Sequence, residues 1–266
     1  MHFALGLAFA VLIGVTLGLL GGGGSILTVP TLVYVMNVSP KAAIAMSLPV
    51  VGLTSLVAGV KHWRAGQVDL HVALGFGIVA MTGSIAAARA AKLVPGVVQL
   101  TLLGVVMLAA AIVMMRRRPP VEAGGQVPHG KPVTLGLVGL AVGALTGLVG
   151  IGGGFLFVPA LVLLGGVPIK RAVGTSLIVI AMNTAGAAVG YRGQATIDWG
   201  LVAGFTACAV LGSLVGARLV SRISADGLRR WFAGFLVVTA GFILWENRVV
   251  LMNPMGAMRP AAVREP

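Results

Sequence analysis

The chain has 266 residues, of which 58% are hydrophobic and only 9% charged, with a formal net charge of +13 and a mean hydropathy of +1.04. A soluble domain carries about 25% charged residues, so this composition cannot cover a water-facing surface and predicts a polytopic membrane protein. The basic excess does not make a nucleic-acid binder, because the cations sit in short gaps between apolar runs (Lys61 and Arg64, Arg89 and Lys92, Arg116 to Arg118, Arg229 and Arg230) with no basic stripe among aromatics.

The first apolar run covers residues 3–36. As one helix it would be about 51 Å long at 1.5 Å per residue, well beyond the ~30 Å hydrocarbon core. Gly21, Gly22, Gly23 and Gly24 lie in its middle, and Pro30 follows. Glycine costs about 1 kcal/mol in a helix interior and proline about 3. The run therefore predicts one full span, a glycine break, and a short half-helix of about 12 residues. Non-helical backbone at membrane depth survives only when buried in protein or lining a wet cavity. No Lys or Arg precedes the run to form a signal-peptide n-region, so residues 1–20 read as part of the mature fold.

Three further apolar runs follow, at 42–60, 70–88 and 97–115. Then comes RRRPPVEAGGQVPHGK (116–131), with paired prolines, glycines and both signs of charge, which reads as a solvated linker. From 133 the pattern begins again. At an offset of 129 residues, GLLGGGGSILTVPTLV (18–33) lies on GLVGIGGGFLFVPALV (147–162), and about half the positions between 18 and 48 match. The offset also aligns Lys41 with Lys170, Ser47 with Ser176, Asp69 with Asp198 and Arg89 with Arg218. The second set of runs is 133–164, 172–189, 199–217 and 231–245.

The expected fold is an all-α polytopic membrane protein with two homologous four-helix halves, each with a glycine-broken first helix. Residues 1–115 form the first membrane repeat, 116–131 the linker, 132–250 the second repeat and 251–266 a tail. Four spans per half place both halves the same way up, which predicts a parallel repeat about an axis along the membrane normal. Basic residues divide almost evenly between the two sides, so membrane orientation stays open.

The acidic residues are Asp69, Glu122, Asp198, Asp226, Glu246 and Glu265, none at the centre of an expected span. Cation pumps and proton relays place carboxylates there, which disfavours a cation substrate. His2, His62, His71 and His129 fall at run ends or in loops without metal-ligand spacing, and a loop histidine is usually solvated. A single cysteine, Cys208, permits no disulfide framework or cysteine metal cluster. No nucleophile is paired with a base, so neither an enzyme nor a cofactor is expected.

What remains is the twin glycine break, GGGGS (21–25) and GIGGG (150–154). Helix N-termini present free N–H groups and about half a positive charge, which bind anions without a charged side chain. Glycine lets an oxyanion approach the backbone, and half-helix N-termini aimed at anions are a recurring transporter device. Close helix packing is the competing use of small residues; the recurrence of the break favours a site. It is not a nucleotide P-loop, which needs a lysine that neither copy has.

The substrate-site candidates are thus Gly23, Gly24, Ser25, Gly152, Gly153 and Gly154, supported by Ser47, Thr175, Ser176 and Asn183. Gly21, Gly22, Pro30, Gly150 and Pro159 make the helix breaks. Membrane helices also hide serines by bonding them to their own backbone, so the hydroxyls have a second reading. Lys41, Arg89, Lys170 and Arg218 are either anion-attracting cations or interface anchors.

The doubled G-x-x-G-x-G-G-[GS]-x-x-x-x-P pattern, the Asp69 and Asp198 loops and the G-S-x-x-x-A-R segments (83–89 and 212–218) resemble the sulfite exporter TauE/SafE family, also called the toluene-sulfonate uptake permeases. The resemblance runs from about residue 5 to 245. It implies a multi-pass protein of the bacterial inner membrane that transports sulfur-containing anions, such as sulfite or the organosulfonate sulfoacetate. It also raises protons as a coupling ion, while homo-oligomerisation stays open. Among the matched glycines, Ser25 departs from Gly154 at the equivalent place. A passive anion channel and a non-transporting membrane scaffold are the alternatives from other classes.

Overall fold

A computed structural model describes residues 2–116, 132–149, 154–163, 165–220 and 224–246. Gly150, Gly152, Gly153, the linker beyond Arg116 and the tail 251–266 lie outside these residues. Every regular element among the described residues is helical.

The first half consists of α1 (His2–Leu20), α2 (21–35), α3 (Pro40–Arg64), α4 (Leu70–Ala90) and α5 (Gly96–Arg116). The second consists of α6 (Pro132–Val149), α7 (Gly154–Leu163), α8 (Ile169–Gly190), α9 (Trp199–Leu219) and α10 (Ala225–Glu246). Among the described residues, six helical stretches are long and apolar enough to cross a membrane: Ala4–Val35, Pro40–Arg64, Leu70–Leu93, Gly96–Val113, Ile169–Gly190 and Trp199–Leu219. Gly136–Val149 and Leu236–Glu246 are apolar but shorter. Outward-facing Leu12, Leu53, Leu74, Ile78 and Leu211 suit contact with lipid. Exposed Trp63, Trp199, Trp231 and Trp245 lie near helix ends, where interfacial tryptophans anchor a span.

Local chemistry sets the helix boundaries. Asp69 caps α4 by accepting from the Val72 N–H at 3.1 Å, and Asp198 caps α9 by accepting from the Leu201 N–H at 3.0 Å. These two carboxylates are helix N-caps, which accounts for acidic residues at the mouths of apolar helices. Pro40 occupies the first turn of α3, where a missing N–H costs nothing.

Two helix pairs pack backbone to backbone. Gly14 and Gly18 of α1 rest on the carbonyls of Ala209 and Ser213 in α9, while Gly212 and Gly216 rest on those of Val11 and Val15. Gly143 and Gly147 of α6 rest in the same way on Ala80 and Ser84 of α4, and Gly83 on Leu140. A side chain at any of these glycines would occupy the space of a neighbouring carbonyl. Without a hydrophobic drive between helices in lipid, such close packing is one of the forces that hold them together, beside interhelical hydrogen bonds and lipid entropy. In both pairs the residue numbers rise together, so α1 is parallel to α9 and α6 to α4.

Helices α3 and α8 run the other way. Gly52 meets Thr184, Gly59 meets Ile178, and His62 meets Gly174. These helices begin 129 residues apart in the sequence yet lie antiparallel, which corrects the expectation of an axis along the membrane normal: such an axis would leave them parallel. The physical reason lies in α2. It opens with a 3-10 segment, Gly21–Leu27, passes through one α turn, Thr28–Pro30, and ends in a π turn, Thr31–Val35. Gly24 packs on the backbone of Ile13 and Leu17, and Met36 reaches Gly6 near the start of α1. The first apolar run is therefore a hairpin. Its second limb returns to the side from which α1 started and adds a return passage, so the first half makes an odd number of passages.

Candidate functional site

The hairpin turns at Gly21, whose φ of +67° is accessible to glycine at no steric cost. A Cβ built there would lie 2.7 Å from Ser176 Oγ and 3.1 Å from both Val158 and the Val173 carbonyl. The first break is thus wedged between α7 and α8. Gly21, Gly22, Gly23, Gly24 and Ser25 are all buried, and so are Pro30 and, inside α7, Pro159. Gly24 owes its lack of a side chain to the contact with α1. Gly154, the first residue of α7, is the described member of the second break.

The candidate hydroxyls are fully buried and each donates one turn back. Ser25 Oγ donates to the Gly22 carbonyl at 2.7 Å, Ser47 to Ile44 at 2.7 Å and Ser176 to Val173 at 2.8 Å. Such bonds satisfy a hydroxyl inside an apolar helix, and an anion would have to draw the protons away from them. Thr175 is committed differently: its Oγ1 accepts from the Asp69 backbone N–H at 3.0 Å, tying the α3–α4 loop to α8.

Thr175 and Ser176 adjoin the first break, but Ser47 does not. The antiparallel register of α3 and α8 leaves about 13 residues, roughly 20 Å, between Ser47 and the level of Ser176. Asn183 lies between, near the crossing of the two helices. Its Nδ2 donates to Thr146 Oγ1 on α6 at 3.0 Å, and its backbone carbonyl accepts from Ser84 on α4 at 3.2 Å. Among the cations, Lys41 donates to the Lys92 carbonyl at 3.1 Å, Lys170 is half-buried, and Arg89 and Arg218 are exposed near the ends of α4 and α9. A cleft of about 340 Å³ opens beside α8's C-terminal end, lined by Ala45, Pro49, Tyr191, Arg192 and Trp199 among others. Among the described residues no three His, Cys, Asp or Glu side chains gather as a metal site.

The buried polar groups that the sequence did not single out include His62 and Tyr191. His62 is 1% exposed, with Nε2 3.1 Å from the Gly18 carbonyl and Nδ1 2.9 Å from Gln67 Oε1. It therefore meets a carbonyl in the last turn of α1, where helix geometry leaves acceptors unfilled. Tyr191 does the same for α6, donating to the Leu148 carbonyl at 3.0 Å and accepting from Gln99 Nε2 at 3.1 Å. Burial pushes the Tyr191 phenol well above its ordinary range, opposed by the Gln99 hydrogen bond. One signal was available: the offset that aligns Asp69 with Asp198 also aligns His62 with Tyr191.

Apolar crossings joined by short turns, with a broken helix folded back among them, define a polytopic membrane protein. The chain belongs to the sulfite exporter TauE/SafE family, whose sequence profile matches residues 6–243. It is 31% identical over 247 residues to a "Probable membrane transporter protein" of Xylella fastidiosa, covering 89% of this chain and 92% of that one. It is 26% identical over 216 residues to "Probable membrane transporter protein YdhB" of Bacillus subtilis, covering 79% and 87%. "Probable membrane transporter protein MJ0441" of Methanocaldococcus jannaschii shares 25% over 262 residues, covering 91% and 97%. No solved structure matches the chain.

Proposed function

We propose that this protein is a secondary transporter of small sulfur-containing anions, sulfite or an organosulfonate, across the bacterial inner membrane. The observation that carries the reading is the buried glycine turn at 21–25, pressed against Ser176 and α7 in a chain whose family is described as sulfite exporters. Backbone N–H groups at the start of a helical segment can replace part of an anion's hydration without a buried lysine. On this reading Gly21, Gly22, Gly23, Gly24, Ser25, Thr175 and Ser176 form one binding station. Gly150, Gly152, Gly153, Gly154 and Ser47 are its sequence counterparts, and Asn183 lies between the levels of Ser176 and Ser47 on the α3–α8 pair.

The antiparallel α3 and α8 support an inverted repeat, with an axis in the membrane plane and alternate opening of its two ends. Lys41, Arg89, Lys170 and Arg218 raise the local anion concentration at the surfaces, and protons serve as the coupling ion. The test is uptake and efflux of radiolabelled sulfite and sulfoacetate in proteoliposomes. Flux above protein-free vesicles for at least one of them is expected. Its absence for every sulfur oxyanion tried would sink the reading.

A further inference from the structure

We infer that His62 is the proton-responsive latch of the first glycine hairpin, and that Tyr191 is its proton-insensitive counterpart at the opposite end of the α3–α8 pair. This rests on the transporter reading and names the group through which protons act on it.

Two acceptors surround the imidazole. The Gly18 carbonyl accepts only, so Nε2 must carry a proton to use it. Nδ1 faces the side-chain amide of Gln67. A charged imidazole donates to both Gly18 and Gln67 Oε1. When it loses the Nδ1 proton, that nitrogen becomes an acceptor and the Gln67 amide must turn to present its N–H group. Protonation is thereby coupled to the α3–α4 loop. The Gln67 N–H is held by the His62 carbonyl at 3.0 Å, and the Gln67 carbonyl packs on Gly174. Two residues on, the Asp69 N–H donates to Thr175, which adjoins Ser176 and therefore Gly21. Gly18 itself lies three residues before Gly21. The ring thus reaches the turn by two routes, through α1 and through the loop and α8.

The charged and titratable residues on the surrounding elements are Lys41, Lys61 and Arg64 on α3 itself, Asp69 in the loop, His71 and Arg89 on α4, Lys170 and Arg171 on α8, Cys208 and Arg218 on α9 and Arg116 at the far end of α5. Lys61 donates to the Leu214 carbonyl at 2.8 Å, and the α1 contact at Gly18 adds no charge. Asp69 is the carboxylate of this set and is already used as the α4 cap. Imidazole is the side chain whose ordinary charge change falls between about pH 5 and 8. At the other end the Tyr191 phenol does the same work for Leu148 and keeps its proton throughout that range. The matched pair therefore carries an imidazole at one end and a phenol at the other.

Flux of radiolabelled sulfoacetate, whose charge stays constant over this range while that of sulfite does not, is compared in proteoliposomes from pH 5.5 to 8 for wild type, His62→Tyr and His62→Gln. Both variants keep a hydrogen-bonding group near Gly18 without a titratable imidazole. Wild-type flux is expected to change about fivefold or more across the range and variant flux less than about twofold when the imidazole is the switch. A variant that transports with the wild-type pH profile overturns the inference. Nitrogen-15 imidazole resonances of the purified protein give a reading independent of substrate. The signal lost in either variant must titrate between pH 5 and 8, and one that does not shift overturns the inference as well. Wild-type protein that shows the titration but no flux contradicts the transporter reading and leaves the latch in place.

Discussion

Gly143 rests on the carbonyl of Ala80, and 129 residues away in each direction of the alignment Gly14 rests on the carbonyl of Ala209. Each half therefore lends its first helix to the third full helix of the other. Close backbone contact makes both seams intolerant of any added side chain.

Gly14→Val and Gly143→Val should each lower the stability of the detergent-solubilised protein by about 1–3 kcal/mol, the usual cost of overpacking a filled interior. Gly75→Ala is the control, since nothing lies within 4 Å of a Cβ placed there. It should raise stability slightly, by up to about 1 kcal/mol, through better helix propensity. Thermal melts followed by size-exclusion chromatography compare the three; equal melting points would refute the seam.

At the hairpin turn, Gly21→Ala should abolish flux while the protein still inserts. The β-carbon faces both a left-handed backbone, a penalty of about 1–2 kcal/mol, and the Ser176 hydroxyl. Gly66 and Gly193 also have positive φ but open space around them. Gly66→Ala and Gly193→Ala should therefore cost about 1 kcal/mol of stability and leave flux per folded molecule unchanged. Wild-type flux in Gly21→Ala would return the glycine to mere packing.

The two loop aspartates should behave as caps, not proton carriers. Asp198→Ala removes the side-chain acceptor for Leu201 and is expected to cost about 0.5–2 kcal/mol, with an unchanged flux–pH profile. Asp198→Asn should recover most of the loss, because asparagine also caps. A flattened pH profile in Asp198→Ala would show that the carboxylate titrates during transport.

Tyr191 sets an alkaline limit. Its phenol holds a proton more tightly in the folded state than in the unfolded one, so its stabilising contribution is complete below about pH 10 and falls as pH rises further. Tyr191→Phe should lose about 0.5–1.5 kcal/mol at neutral pH from the missing bond to Leu148. Its remaining stability should decline less steeply above pH 10 than that of wild type. Parallel alkaline unfolding curves would show that Tyr191 does not govern the transition.

Much of this architecture is legible in the sequence because apolar length and local chemistry act over a few residues. The runs at 42–60 and 70–88 fall inside α3 and α4, and the aspartates before 70 and 199 are the caps of α4 and α9. The glycines announce a break, and Gly21 supplies it. They do not say in which direction the chain leaves. That depends on Gly24 finding the backbone of Leu17 and on Met36 finding Gly6, contacts made only once α1 and α2 lie together. One missed return limb is enough to reverse the expected direction of α8 relative to α3. The burial of His62 is illegible for a similar reason: it ends an apolar run, and its burial is created by the tip of α1, which arrives from 44 residues earlier. Ser47 and Ser176 match in the alignment, yet the antiparallel crossing puts them at different depths.

The exchange of helices between halves also bears on how the protein is made. When α1 leaves the ribosome its glycine face has no partner, because the α9 backbone it will grip is 195 residues away in sequence. At roughly 5–20 residues per second that wait is about 10–40 s. Throughout it, the first half sits in the bilayer with a bare groove, while α4 receives α6 much sooner. Closure of α1 on α9 is therefore a late step, followed by the docking of α10 on α5, where Leu244 and Ile243 meet Gly104. A ribosome that stalls before residue 209 leaves behind a chain that is inserted but open along one side.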